Sequence, residues 1–202
     1  MSAFLGPIHH KMYQKITNQS QLALDIAAFS DQNSWTSHLK QDILSQLPLP
    51  QGALEDIIDL SNIHGWLNKH VTESELRLST AVQTAVNNTP ERAQQLVEFI
   101  QQQAKQAAGH QATPSQTCPE LWQKMDLFWL DGMPCDRGVQ FDSSEDNEVR
   151  WSISPTVHAQ GWADQTPLCY NDLRWNWMNA FAGRQGFVLH RLGDLAFCLT
   201  KE

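Results

Sequence analysis

Histidine and cysteine are the residue types here whose placement invites chemistry. Two segments align: Ile8-His9-His10-Lys11-Met12-Tyr13-Gln14-Lys15-Ile16 and Ile63-His64-Gly65-Trp66-Leu67-Asn68-Lys69-His70-Val71. In each, a histidine follows an isoleucine, an apolar residue comes three positions later, and another four after that. On helices, His9 falls on the stripe of Leu5, Met12 and Ile16, and His64 on that of Ile57, Leu60, Leu67 and Val71. Both imidazoles are then expected to turn inward. A buried neutral imidazole needs partners for its nitrogens. Backbone carbonyls or carboxylates would serve, or the two rings would converge on a transition metal ion or another ligand. His70 and Glu75 are further donors, although His64 and Glu75 stand three turns apart, about 16 Å along a helix.

Cys135 sits in Met133-Pro134-Cys135-Asp136-Arg137, just after a helix stop, where Arg137 would favour the thiolate and Asp136 oppose it. Cys169 is expected in the first turn of a helix begun by Thr166-Pro167, where the positive dipole end would lower its pKa. Either is a candidate nucleophile. His158 is a loop histidine that would act as base to Cys135 or ligate beside it. Cys135, His158, Arg137 and Trp66 form the candidate ligand-binding set. The alternative for each cysteine is a small buried hydrophobe, which is the expectation for Cys118 and Cys198. Six of eight tryptophans and five of seven arginines fall after residue 117. Arginine beside tryptophan suits an anionic or flat ligand, or else the rim of a small core.

The opening Phe4-Leu5-Gly6-Pro7-Ile8-His9, continued by Met12-Tyr13 and Lys15-Ile16, resembles the start of an uncharacterised bacterial family. That family's Ile-His-Gly-Trp-Leu and Asp-Gly-Met-Pro-Cys-Asp segments correspond to Ile63–Leu67 and Asp131–Asp136. The resemblance marks His9, His64 and Cys135 without supplying a reaction.

The elements that would position these residues are mostly helical at first. Pro7 opens one helix; a second covers about 37–46 and ends at Pro48-Leu49-Pro50-Gln51-Gly52. A long helix is expected over 54–86, and another starts at Thr89-Pro90-Glu91 and stops near Gly109. After a linker at 109–116 the composition changes. A short helix over 119–130, strands at 139–141 and 149–153 around an acidic turn, a helix over 168–182 and a hairpin around Gly193-Asp194 follow, with His190 on the face of Val188 and Phe197. The expectation is an α+β fold. A bundle-like helical module of residues 1–112, with short loops, packs on a module of residues 117–202 made of a small antiparallel sheet and helices.

The chain has 202 residues, a net charge of −8 and 41% hydrophobic residues. Nucleic-acid binding, which depends on neutralising phosphates, is not expected of an acidic chain without a basic run. No segment is apolar enough to span a membrane, and Gly6, Pro7 and two histidines interrupt the start, so a cytoplasmic protein with free thiols is expected. The paired Glu-x-x-His motifs of di-iron bundles, His-Glu-x-x-His, the P-loop, Gly-x-Gly-x-x-Gly and Gly-x-Ser-x-Gly are missing. The reading reached is a protein that binds a metal ion or small molecule between its two modules. A thiol-dependent enzyme using Cys135 or Cys169 is one alternative; a dimeric structural or regulatory module is another.

Overall fold

Start and stop signals decide most element boundaries. The computed structural model describes residues 4–155, 162 and 167–201. His158 and Thr166 lie outside these. Helix α1 (Pro7–Gln32) opens on Pro7, and α2 (Leu39–Gln46) buries Leu39 and Ile43. Helix α5 (Pro90–Gly109) begins after Thr89 as expected, and α6 spans Cys118–Asp126.

The long helix expected over 54–86 is instead two. Helix α3 (Leu54–Ile57) ends after one turn, and α4 runs Ile63–Val86. Asp59 and Asn62 make the break. The Asp59 carboxylate accepts from the Ser61 backbone N–H and hydroxyl, and Asn62 Oδ1 accepts from the Gly65 N–H at 3.1 Å. Such local side-chain bonds compete with helix continuation. Leu60, expected on the buried stripe, is 50% exposed in the break. Gly65 permits the cap: a Cβ there would sit 2.3 Å from Asn62 Nδ2.

Helices α1 and α4 run parallel. The His9 and His64 rings adjoin, Tyr13 meets Trp66, Ser20 bonds Ser74, and Arg77 bonds Ser20. The short loops expected of a simple bundle would have made neighbours antiparallel. Here residues 33–62 cross back, so both Ile-His segments are first turns at the same end.

Strands β1 (Val139–Glu145), β2 (Glu148–Ile153), β3 (Phe187–Arg191) and β4 (Ala196–Lys201) form one antiparallel sheet in the order β1-β2-β4-β3. The stretch 142–148, expected as an acidic turn, is mostly strand: Glu145 pairs with Glu148 around the turn Asp146-Asn147, and the register shifts between Phe141 and Ser143. Helix α7 covers Tyr170–Arg184. His190 is exposed, with Nε2 3.2 Å from Thr200 Oγ1, because Phe187 and Leu189 take the inward positions of β3. The fold is α+β, as expected.

The main core draws on both halves, from Ala23, Leu78 and Ile100 to Trp129, Trp151 and Phe181. A satellite core gathers Met12 and Ile16 of α1, Ile63, Leu67 and Val71 of α4, and Leu130 and Met133, with Leu5 and Trp66 packed against it. The three motif segments therefore meet, through their apolar residues.

Arg77, wholly buried, clamps α4 to the 47–48 turn. Its Nε donates to the Leu47 carbonyl at 2.9 Å and Nη2 to that of Pro48 at 2.8 Å, while Nη1 donates to Ser20. Burial holds its pKa below the ordinary arginine value, with Glu73 acting the other way. Arg77→Met takes the donor from two carbonyls and one of the cations from beside Glu73, which keeps His70 and Lys69. It should cost roughly 3 kcal/mol or more, read as a lower urea midpoint with unchanged slope.

Candidate functional site

Lys11 and Lys15 are one turn apart on α1, an arrangement of like charges that destabilises a helix unless an acid answers it. The acid is Asp126 at the end of α6. Lys15 Nζ donates to Oδ1 at 2.7 Å and Lys11 Nζ to Oδ2 at 2.8 Å. Asp126 and the Lys15 side chain are buried, and the Lys11 side chain is 39% exposed. Farther along the same face, Asn18 Nδ2 donates to the Leu127 carbonyl at 2.8 Å. Gln19 Oε1 accepts from the Leu130 N–H, and the Tyr170 hydroxyl lies within hydrogen-bond reach of Gln19 Oε1 and the Leu130 carbonyl. Burial pushes the Tyr170 phenol well above its ordinary pKa.

The Asp-Gly-Met-Pro-Cys-Asp segment closes on itself beside this seam. Gly132 adopts φ +75°, and Asp136 Oδ2 accepts from the Met133 N–H at 2.7 Å across a single 3-10 turn, Pro134–Asp136. A Cβ on Gly132 would stand 2.8 Å from Asp136 Oδ2. Asp131 pairs with the buried Arg174 of α7, Oδ2 to Nη2, at 3.0 Å. Arg137, which ends the turn, is held left-handed at φ 49°.

Between α1 and this segment lies a cleft of about 340 Å³. Lys11, Lys15 and Arg137 line it against Asp126 and Asp131, with Met133 and Phe141 among its apolar walls. Asp126 is answered by two lysines and Asp131 by Arg174. Arg137 has no carboxylate partner among the described residues. On a chain with net charge −8, this is a local surplus of positive charge.

The expected site residues divide. Arg137 lines the cleft. His9 and His64 do come together, with ring centroids 6.2 Å apart, but they do not turn into the core: His64 is exposed and His9 half-buried. The buried stripe of α4 runs through Ile63, Leu67, Val71 and Leu78, and His64 lies beside it on the open side. His9 lies two residues from Lys11, about 200° around the helix, so the pair faces away from the cleft. His9 Nδ1 also accepts the Gly6 N–H at 2.9 Å, which leaves the ring proton on Nε2. Either nitrogen would bind a metal only after that bond is lost. Among the described residues no three His, Cys, Asp or Glu side chains group to hold an ion.

Trp66 packs on Tyr13 and against His70, whose Nδ1 is 2.8 Å from Glu73 Oε2. Cys135 is exposed, its Sγ 3.7 Å from Asp136 Oδ1. Cys169 is the N-cap of α7, not part of its first turn, and its thiol donates to Asp172 Oδ2 at 3.1 Å. Burial and Asp172 push that thiol up, the reverse of the expected dipole effect. Cys118 and Cys198 are buried. Sequence reasoning missed Lys11, Lys15, Asp126 and Asp131. The one available signal was Lys15 falling beside Ile16 on the inward side of α1, spaced four from Lys11.

No family model, curated protein or solved structure matches this chain. No helix among the described residues is long and apolar enough to cross a membrane.

Two predictions follow from the charges. Asp126→Ala strands Lys15 in the interior and should cost about 3–5 kcal/mol, whereas Lys11→Ala should cost at most about 1 kcal/mol; chemical denaturation separates them. Burial holds the His70 pKa below its ordinary value, with Glu73 opposing. The unfolded chain then binds this proton more readily, so stability falls as pH drops through about 6.5. The Tm of the wild type should decline more steeply from pH 7.5 to 5.5 than that of His70→Gln; equal slopes would contradict this.

Proposed function

We propose that this protein binds a small anionic molecule in the cleft between α1 and the 131–141 segment. The observation that carries the reading is the unanswered Arg137 beside Lys11 and Lys15, in a concavity of ligand size on an acidic chain. The small-molecule form of the two-module reading fits better than the metal form, because cations and not donors dominate the cleft. Catalysis through a thiol fits less well at Cys169, where burial and Asp172 disfavour the thiolate.

The backbone at Arg137 adds weight. A left-handed conformation costs a residue with a Cβ about 1–2 kcal/mol, and glycine avoids most of that. At Arg137 that cost falls on a residue whose side chain lines the cleft. Arg137→Gly is expected to raise the Tm of the free protein by a few degrees. The same variant is expected to abolish the rise in Tm that inorganic phosphate or benzoate produces at constant ionic strength. If neither anion raises the wild-type Tm, or both do so equally in Arg137→Gly, the reading is wrong.

A further inference from the structure

Beyond the cationic cleft, the surface continues into a second concavity of about 500 Å³. The two share Lys11, Trp122 and Phe141 as lining residues. The second is walled by Pro119, Leu127 and Val149 together with the two aromatic rings. Gln123 and Ser144 are its polar members, and among the described residues it brings no cation besides Lys11 and no carboxylate. Charge is thus divided along the groove: Lys15, Arg137 and the two aspartates at one end, an uncharged wall carrying the two aromatic rings at the other, with Lys11 at the junction.

Phe141 is central to this division. It is 49% exposed, although it pairs with the fully buried Trp151 across the sheet and sits edge-on to Trp122 with centroids 4.6 Å apart. A large ring left half in water on the wall of a concavity is surface that a ligand's apolar body would cover. Trp122, only 9% exposed, is fixed behind it against Trp151. The aromatic wall is therefore preformed, and ordering it on binding costs little.

We infer that the ligand is an amphipathic organic anion. Its carboxylate or phosphate lies by Arg137 and Lys11, and its aromatic or acyl body extends past Trp122 and Phe141 toward Val149. The inference rests on the anion reading above and adds the second compartment to it. A fully charged solute would leave the aromatic wall wet. An uncharged aromatic would leave Arg137 unanswered.

The test uses the full chain and three probes at constant ionic strength: 2-naphthoate, acetate and 2-naphthamide, followed by calorimetry and by tryptophan fluorescence. The expected result is 2-naphthoate binding at least tenfold more tightly than either of the others. Phe141→Ser should bring the naphthoate-to-acetate ratio close to one, and Arg137→Gly the naphthoate-to-naphthamide ratio close to one. Acetate matching naphthoate in the wild type, with both lost in Arg137→Gly, would overturn the amphipathic assignment and leave the anion site standing. No binding by either anion would overturn both. Far-ultraviolet circular dichroism and Tm of Phe141→Ser identify a folding failure; in that event Phe141→Leu, which keeps the apolar wall, must retain the naphthoate preference.

Discussion

Asp126 is held between two lysines of α1, and that contact fixes the register of α1 against α6. The partners are separated by 111 residues in the case of Lys15. A buried ion pair is a poor source of net stability, because desolvating both charges offsets most of their attraction. Its effect is to penalise any other arrangement, since a shift of α1 by one turn would strand Lys15 or Asp126 in the interior. Asn18 and Gln19 extend the same seam to Leu127, Leu130 and Tyr170, all through polar groups that tolerate only one register. The seam sets the distance between α1 and the 131–141 segment, and so the width of the cleft.

The opposite side of α1 serves another purpose. There His9, Tyr13 and Ile16 face α4, which runs in the same direction. The parallel arrangement explains the short internal similarity in physical terms. Two helices that start at one end and pack on one satellite core need the same spacing of apolar residues, whatever their ancestry. It also explains the meeting of the two histidines at a rim: they occupy first turns, where the helix surface is open, and Gly65 is required for the cap on α4 and not for a ligand.

The segment from Asp131 to Gly138 converts local turn chemistry into electrostatics. Gly132 and the Asp136 cap fold it tightly, which directs Asp131 to Arg174 and presents Arg137 at the cleft. Strain at Arg137 and the half-exposed ring of Phe141 are two of the places where this chain departs from what stability alone would choose. Both border one groove, and such departures concentrate where function requires them.

The sequence by itself determined the helical first half, the antiparallel hairpins of the second, and the boundaries marked by Pro7, Thr89-Pro90 and Gly193-Asp194. These depend on contacts within a few residues, which local spacing records. It also singled out three motif segments and Arg137. It misjudged the helix over 54–86, because the apolar period of Ile57 and Leu60 concealed the Asp59 and Asn62 bonds that break the backbone. It turned His64 inward and gave Cys169 an activated thiol for a similar reason, since burial and partners were inferred from the element alone. Only the tertiary structure decided that Lys11 and Lys15 share an aspartate, that Asp131 is neutralised by α7, and that Arg137 is left over. Charge balance in a cleft is a sum over residues far apart in the chain, and no spacing rule along the sequence carries it.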